Sequence, residues 1–356
     1  MFDPCDTAPA HYNLWRGFSV QPDPGKSCEK FLAHIRDNIC SGNSEHFLWV
    51  IGFLAHMVQK PEEKPGVSLV LRGAEGVGKG FFANTIGKLC LHHFVVISQA
   101  THLTGRFNAQ FLHTLLAFVD EAFWAGDKSG EGALKHLVTD EYVTIEGKYR
   151  DPITVRNLSR LIIASNENWV VPAGVQARRW CVLDVADTRA NDRAYFKTIT
   201  DELGNGGMGA LMHHLMSFDL GSVDVHTTPK TAALLEQKEE SLPPHAQWWL
   251  ETLGRGTLRY PSEDTTAARG TVSEGHCWPT SLPKDRLWES YRLWMQQHNI
   301  KSRVMPASSL HRWFSTAALL PGANEYRPHG DKRQLGIPTL PECRAAFDAH
   351  VGQPGR

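Results

Sequence analysis

The sequence predicts an α/β fold with a parallel central sheet. Three observations support this prediction: a glycine-rich turn joins an apolar run to a helix-forming segment, further apolar runs alternate with helical patterns, and two of these runs end in polar residues. Strands that alternate with helices favour a parallel sheet, and such sheets place their ligand sites at the carboxyl ends of the strands. A functional site is therefore expected where the predicted strands end.

The glycine-rich turn lies within residues 69–82, which read LVLRGAEGVGKGFF. It matches the phosphate-loop pattern G-x-x-x-x-G-K-[ST] except at its last position, where Gly80 replaces the hydroxyl residue that normally contacts magnesium. Glycines allow main-chain N–H groups to wrap a phosphate, and Lys79 adds a positive charge beside a helix start. A chance turn between a strand and a helix is the alternative. The predicted nucleotide-binding residues are Gly73, Ala74, Glu75, Gly76, Val77, Gly78, Lys79, Gly80 and Phe81.

Composition limits the class of protein. The chain has 356 residues, of which 42% are hydrophobic, and this is enough for one large domain and a smaller one. Its formal net charge of -1 excludes a globally basic surface, so any contact with DNA must come from local clusters. The seven cysteines form no C-x-x-C pair, and no uncharged run of about 18 residues occurs. We therefore expect a cytoplasmic protein without a disulfide framework, a zinc ribbon or a membrane span.

Residues 1–65 are predicted to form a helical segment. Apolar residues recur at helical spacing within residues 27–40, and residues 46–59 are apolar on nearly every side. A helix that is apolar all round must be covered by other elements. The two helices therefore form either a small collar before the core or a layer packed on the core itself.

Two later strands end in residues that suit phosphate chemistry. The apolar run of residues 115–119 leads into Asp120 and Glu121, and the run of residues 161–164 leads into a serine and Asn166. Beside a phosphate loop, Asp120 is expected to hold Mg²⁺ and Glu121 to orient the attacking water. The amide of Asn166 would then reach the γ-phosphate or that water. For the two acids, a buried strand that ends at an exposed acidic turn is the alternative.

The alternating segments 142–147 and 152–157 predict a hairpin. Its tip carries Lys148, Tyr149 and Arg150, and two cations with an aromatic ring suit gripping backbone phosphates and stacking on a base. The alternative is a solvated turn with surface charges.

A pair of arginines, Arg178 and Arg179, precedes the last predicted strand of the core, residues 180–185. Arginines at this point suit a finger that reaches the nucleotide of a neighbouring subunit and offsets charge in the transition state. Isolated arginines are more often partners in surface ion pairs, so this alternative stays open.

The last part of the chain is predicted to be helical, with a basic hairpin near its end. Helices are predicted over residues 194–201, 209–218, 230–240 and 246–253, a linker or disordered loop over 254–281, helices over 284–298 and 308–318, and two short strands within 326–340. Two helices followed by a basic turn are typical of a winged-helix-like module. The residues expected to dock DNA are His311, Arg312, Lys332 and Arg333. A subunit-packing module is the alternative.

The order of these parts resembles the superfamily 3 helicases of the AAA+ group. The match is to the helicase portion of phage and mobile-element primase-polymerase–helicase proteins, and it spans about residues 47–185. The sequence segments on which the resemblance rests are LAHMVQKPEEKPG, GVGKG, LTGRFNAQF, FVDEAFW, LKHLVTDEYVTIEGK, ASNENWVVP and ARRW. The resemblance implies an AAA+-type phosphate-loop ATPase core.

The resemblance also implies cofactors, partners and residue roles. The implied roles are metal binding by Asp120, water activation by Glu121, sensing by Asn166, translocation by the hairpin of Lys148, and a finger at Arg178 or Arg179. The implied cofactors are ATP and Mg²⁺, and the implied assembly is a homo-hexameric ring around single-stranded DNA with 3′-to-5′ unwinding. A primase or polymerase, supplied separately or on a longer chain, is a further expected partner. Gly80 departs from the general superfamily pattern and leaves the magnesium shell in question.

We therefore expect an ATP-dependent DNA helicase for replication of a phage or mobile element in a bacterial host cell. Two alternatives stay open: an AAA+ remodeller or packaging motor that does not unwind DNA, and a regulatory nucleotide-binding switch with weak turnover. The expected domains are a helical collar segment (residues 1–65), the ATPase core (66–220), a helical extension and flexible linker (221–281) and a winged-helix-like module (282–356).

Overall fold

The structure is a computed structural model of the chain. It describes residues 1–7, 10–105, 108–121, 128–171, 173, 177–261, 272–274, 278–327 and 333–351. The chain divides into two compact units, the first formed by residues 1–173 with 177–237 and the second by residues 174–176 with 238–356. Each unit has hydrophobic core residues of its own.

The first unit combines a central sheet, a separate hairpin and surrounding helices. Its strands are β1 (Ser68–Arg72), β2 (Phe94–Ile97), β3 (Leu116–Asp120), β4 (Tyr142–Ile145), β5 (Ile153–Arg156), β6 (Arg160–Ser165) and β7 (Trp180–Asp184). Its helices are α1 (Glu29–Ala33), α2 (Ser44–Gln59), α3 (Lys79–Gly87), α4 (Ala100–Thr104), α5 (Lys128–Thr139), α6 (Arg193–Glu202), α7 (Met208–Met216) and α8 (Ala232–Glu240), the last crossing into the second unit. Helix α1 continues as a π-helical turn (His34–Ile39), and a 3₁₀ turn (Lys88–His93) follows α3.

Five strands form a parallel sheet in the order β2-β3-β6-β1-β7. Strand β6 lies between β1 and β3, with Val70 opposite Ile163 and Asp120 opposite Ala164. Strands β1, β3, β6 and β7 are almost fully buried and rich in aliphatic residues, as expected for a parallel sheet that is covered on both faces, whereas the edge strand β2 is partly exposed. The predicted α/β class with a parallel central sheet is confirmed.

The N-terminal helices pack on the same core as the sheet. Phe31 of α1 and Phe53 of α2 are buried in one hydrophobic cluster with Leu69 and Leu71 of β1. The apolar surface of α2 is thus covered within the first unit, as a helix without a polar face requires. These helices form a layer on the core.

Strands β4 and β5 form the predicted hairpin. They pair antiparallel, with Tyr142 opposite Arg156 and Ile145 opposite Ile153. Ile145 is buried while Tyr142 is exposed, because successive side chains of a strand point to opposite faces. The turn between the strands carries the predicted tip, residues 148–150.

The second unit packs four helices with short antiparallel strands. Its strands are β8 (Arg259–Pro261), β9 (Val272–Glu274), β10 (Ser281–Pro283), β11 (Glu325–Tyr326) and β12 (Gln334–Gly336), and its helices are α9 (Pro244–Arg255), α10 (Asp285–Gln297), α11 (Ala307–Thr316) and α12 (Leu340–Val351). Strand β12 pairs with both β10 and β11, and β8 pairs with β9. Trp248 and Trp249 are buried in its core.

Two parts of the second unit differ from the sequence prediction. The segment 254–281 is predicted as a linker, yet it buries Leu258 and contains β8, β9 and the start of β10. Its strands are short and poor in aliphatic residues; β8 and β9 pair with each other, and β10 pairs with β12. Helix α12 is not among the predicted elements; it carries Pro341 in its first turn, where proline is accepted.

Within the described ranges, no helix is both long enough and apolar enough to cross a bilayer. The cysteines in these ranges are all free thiols: Cys5, Cys28, Cys40, Cys90, Cys181 and Cys343.

Candidate functional site

A cleft of about 510 Å³ opens at the carboxyl edge of the parallel sheet. Its floor is formed by residues 75–80, from the glycine-rich loop after β1 and the start of α3, and two acidic residues at the end of β3 form part of its wall. The lining residues are Glu75, Gly76, Val77, Gly78, Lys79, Gly80, Phe81, Asp120, Glu121 and Phe196. The structure thus brings the predicted loop and the predicted acids together.

Two glycines give the loop its shape. Gly76 and Gly78 have φ angles of 78° and 100°, in the left-handed region that favours glycine. A Cβ at Gly76 would lie 2.3 Å from Oδ1 of Asn191, and one at Gly78 would lie 2.7 Å from Cε1 of His34. Gly80 is different, because a Cβ there would have its nearest neighbour 3.9 Å away. The loop therefore has no room for a side chain at Gly76 or Gly78, whereas it has room for one at Gly80.

Lys79 is almost fully buried at the start of α3. Its Nζ donates hydrogen bonds to the carbonyl oxygens of Gly73 (2.6 Å) and Ala74 (2.8 Å). Burial lowers the pKa of Lys79, and the nearby carboxylates Glu121, Asp120 and Glu75 oppose that shift. The first N–H groups of a helix have no intrahelical acceptor, and Gly78, the N-cap, has no side chain to cap them. Main-chain donors and an ammonium group thus converge on one cleft.

The two acidic residues occupy different backbone conformations. Asp120 is the last residue of β3, whereas Glu121 has a φ of 52° and donates its N–H to the carbonyl of Ala164 at 3.0 Å. A left-handed conformation costs a non-glycine residue about 1–3 kcal/mol, and such strain clusters at functional sites. Both carboxylates are exposed to the cleft. The strained backbone of Glu121 thus lies within the predicted catalytic pair.

Two buried polar residues of the N-terminal helical layer support the loop. Asn38 Nδ2 donates to the carbonyl of Val77 at 2.6 Å. His34 packs against Gly78, and its Nδ1 lies 3.2 Å from the hydroxyl of Tyr195. Burial lowers the pKa of His34 to about 4, so its ring is neutral at pH 7. Sequence reasoning missed both residues, because each lies about forty positions from the loop it contacts.

An aromatic wall extends the cleft to one side. Phe81 and Phe196 lie 5.2 Å apart between ring centroids, and Phe196 also contacts the ring of His34. A second opening of about 550 Å³ shares Gly76 and both phenylalanines with the first and continues along α6. Phe196 was not predicted, because its place beside the loop depends on how α6 packs.

An ion-pair network closes the end of β1 just before the loop. The guanidinium of Arg72 binds both carboxylate oxygens of Asp184 at 2.6 and 2.9 Å and also pairs with Glu236 at 2.5 Å. These carboxylates raise the pKa of Arg72. Strand pairing places Arg72 opposite Asp184, a relation that the sequence alone does not reveal. The network holds β1, β7 and α8 together next to the cleft.

Three predicted catalytic residues do not line this cleft. Asn166 follows β6 at the same edge of the sheet and is exposed. Arg178 and Arg179 lie at the opposite, amino edge, where the carbonyl of Arg179 accepts a hydrogen bond from Ser68 N–H at 2.8 Å. The arginines therefore stand a strand's length away from the loop of their own chain.

The predicted DNA-binding residues lie outside the cleft. At the hairpin tip, Tyr149 is 94% exposed, and Nζ of Lys148 lies 5.2 Å from the centre of its ring. In the second unit, His311 and Arg312 line a separate cleft of about 460 Å³. Arg333 lies near that cleft, 3.7 Å from Glu325, and Lys332 lies outside the described residues.

Comparison with known proteins connects this chain to phage replication proteins. Residues 71–179 match a family described as a family of unknown function, DUF5906. The DNA primase-polymerase of Nitratiruptor phage NrS-1 is 25% identical over 164 residues, which are 45% of this chain and 23% of that protein. The match therefore spans less than a quarter of the relative's length.

Solved structures of the NrS-1 C-terminal region share the fold. Its apo structure (305–718) aligns with a TM-score of 0.66 at 17% identity and covers 92% of this chain and 80% of that one. Its A form aligns with a TM-score of 0.65, at the same identity and coverage. At this level of identity the likeness establishes a common fold and leaves the chemistry to be argued from the site.

Proposed function

We propose that this chain is an ATP-driven DNA helicase that translocates on single-stranded DNA during phage replication. The observation that carries the proposal is the cleft in which the glycine-rich loop and Lys79 face Asp120 and Glu121. Similarity to a phage DNA primase-polymerase supports DNA as the substrate and replication as the setting. The proposed assembly is a hexameric ring of AAA+-type subunits.

The cleft fits the triphosphate of ATP. Its volume lies within the range of about 300–1,000 Å³ that is usual for ligand sites. The left-handed glycines leave the loop floor free of side chains, so that main-chain N–H groups can approach phosphate oxygens closely. Lys79 would exchange the carbonyls of Gly73 and Ala74 for a phosphate oxygen, and Phe81 with Phe196 would offer a flat apolar surface to the base.

The carboxylates fit a magnesium ion that is bound chiefly through the nucleotide. Mg²⁺ usually keeps several waters and takes one or two carboxylates together with substrate phosphates. The described residues contain no cluster of three or more histidine, cysteine or acidic ligands, and Asp120 would provide the carboxylate contact. When bound, the ion would neutralise charge on the phosphates. Glu121 would accept a hydrogen bond from the attacking water and orient it.

Motion on DNA is assigned to other parts of the chain. Lys148, Tyr149 and Arg150 at the hairpin tip would hold one strand through phosphate and stacking contacts. Asn166 would sense the γ-phosphate. Arg178 and Arg179 lie at the amino edge of the sheet, away from the cleft of their own subunit. We therefore propose that one of them acts as an arginine finger on the nucleotide of a neighbouring subunit.

ATP consumption and strand displacement test the proposal directly. Lys79→Met keeps the buried aliphatic stem and removes the charge, so ATP hydrolysis with single-stranded DNA should fall by about 100-fold or more. Lys88→Ala is the matched control, because Lys88 is an exposed lysine directly after α3. Unwinding of a tailed duplex should fall in parallel with hydrolysis. Unchanged ATP consumption and strand separation in Lys79→Met would refute the proposed function.

A regulatory nucleotide switch is the second candidate, and Gly80 favours it. The loop position that would supply a hydroxyl to magnesium has only a hydrogen atom, although the structure has room for more. A switch should bind ATP and release phosphate at a slow rate that single-stranded DNA does not stimulate.

A remodeller or packaging motor would hydrolyse ATP with DNA but leave the tailed duplex intact.

A further inference from the structure

The cleft of the second unit has one acidic residue among its basic ones. Its polar and charged lining comes from Lys284 before α10, from His311, Arg312 and Ser315 of α11, and from Glu325 of β11. Among the described residues that line it, Glu325 alone carries a carboxylate. The positive charge of this lining is therefore interrupted by one negative charge.

Glu325 holds two of the cations around this cleft. One of its carboxylate oxygens accepts a short hydrogen bond from Nζ of Lys284, and the other lies 3.7 Å from a guanidinium nitrogen of Arg333. The two cations lower the pKa of Glu325, so it is fully ionised at neutral pH. Lys284 and Arg333 are also linked through the main chain, because Lys284 N–H donates to the carbonyl of Arg333 at 3.2 Å.

This arrangement resembles the way two cations bind one phosphate group. A carboxylate presents two anionic oxygens, as a DNA phosphate does, and charge-assisted hydrogen bonds from lysine and arginine serve both. Lys284 and Glu325 are 30% and 40% exposed, so a strand of DNA can reach them and exchange one anion for the other. An exposed ion pair stabilises the fold by only about 0–1 kcal/mol, so its disruption is cheap.

We propose that the second-unit cleft binds a DNA phosphate and that Glu325 competes with that phosphate for Lys284 and Arg333. The carboxylate contacts both cations and offsets one of their two positive charges until DNA displaces it, and so weakens non-specific binding at this surface. This inference rests on the proposed action on DNA and names the residues that set the affinity of one surface for it.

The test is Glu325→Gln in the full chain, with binding of a labelled single-stranded oligonucleotide and of its duplex measured over a series of salt concentrations. The variant frees the two cations, so affinity at low salt should rise about threefold to tenfold and the salt dependence should steepen by about one to two units. Glu289→Gln is the matched control, because it removes the same charge from the same unit at an ion pair with Arg286 outside the cleft. The control should change affinity by less than about twofold. A larger gain for the single strand or for the duplex identifies which form supplies the phosphate.

A second variant tests the mechanism. Lys284→Ala combined with Glu325→Gln should lose most of the gained affinity, since a cation that the carboxylate held is gone. Equal DNA affinity of Glu325→Gln and Glu289→Gln would overturn the proposal, as would a gain that survives the loss of Lys284 or an absence of DNA binding by every variant. ATP hydrolysis that depends on Lys79, measured on the same samples, tests the proposed function separately and can hold when this inference fails.

Discussion

The glycine-rich loop of the first unit and the cleft of the second unit are both proposed to hold phosphate, but they are built from different parts of the chain. The loop offers main-chain N–H groups in a conformation that Gly76 and Gly78 make possible. The second cleft offers exposed side-chain charges, one of which is cancelled by Glu325. A main-chain site tolerates few substitutions, whereas a side-chain site can be tuned by single charges.

The two regions also differ in their support. The loop is supported by Asn38 and His34, which are almost fully buried and contact Val77 and Gly78. Around the second cleft lie surface residues such as Arg312 and Arg333, whose surroundings are largely water. Substitutions at the loop should therefore change stability and binding together, while substitutions at the second cleft should change binding alone.

The largest effect is expected from Gly78→Ala. The backbone at Gly78 is left-handed, and the added methyl group would lie within 2.7–2.8 Å of His34 and Phe196. We expect a loss of about 1–3 kcal/mol in the free energy of unfolding and at least about a tenfold loss of ATP affinity. Urea unfolding and equilibrium ATP binding measure these two quantities.

Gly80→Ala is the matched control for that substitution. It adds the same methyl group two residues later, in helical backbone with the nearest neighbour 3.9 Å away. Alanine is a better helix former than glycine, so stability should stay the same or rise by up to about 1 kcal/mol. If Gly78→Ala proved as mild as Gly80→Ala, the loop would not depend on its backbone conformation and the contrast with the second cleft would fail.

Those parts of the site that depend on local chain geometry were predictable from the sequence. The loop of residues 73–80 and the acids Asp120 and Glu121 follow strands, and parallel strands bring their carboxyl ends to one edge. The support by Asn38 and the pair of Arg72 with Asp184 were not predictable, because they depend on contacts across 39 and 112 positions. Helix α12 is also absent from the predicted elements, and it carries Pro341 in its first turn.

The next effect concerns pH and the buried histidine beneath the loop. Burial lowers the pKa of His34 to about 4 in the folded protein, from a value of 6.5 in the unfolded chain. Between these pH values the unfolded chain binds a proton that the folded chain does not, so stability is complete above about pH 6.5 and falls as the pH decreases towards 4. At pH 5 the loss that is due to this one group should be about 2 kcal/mol.

Unfolding free energies at pH 7 and pH 5 check this expectation. His34→Gln retains a polar partner for Tyr195 but does not titrate, so its stability should fall less between the two pH values than that of the parent chain. His11→Gln is the control, because His11 is exposed in the N-terminal segment. The same dependence on pH in His34→Gln and in the parent chain would show that the support beneath the loop does not involve a buried neutral imidazole.

The smallest effect is expected at Gly80, where a substitution would add a side-chain ligand to the main-chain site. This position lies in the main-chain site, yet it has the room for a side chain that the other loop glycines lack. Gly80→Ser would add a hydroxyl oxygen to the cleft that Asp120 also lines, and hard oxygen ligands favour magnesium. We expect the Mg²⁺ concentration for half-maximal phosphate release to fall by about threefold to tenfold, with a modest rise in turnover. Gly80→Ala separates the hydroxyl from the added carbon, and equal Mg²⁺ titrations for the two variants would show that the missing hydroxyl does not limit hydrolysis. In that case slow turnover, if measured, would have to come from the strained Glu121 rather than from the loop.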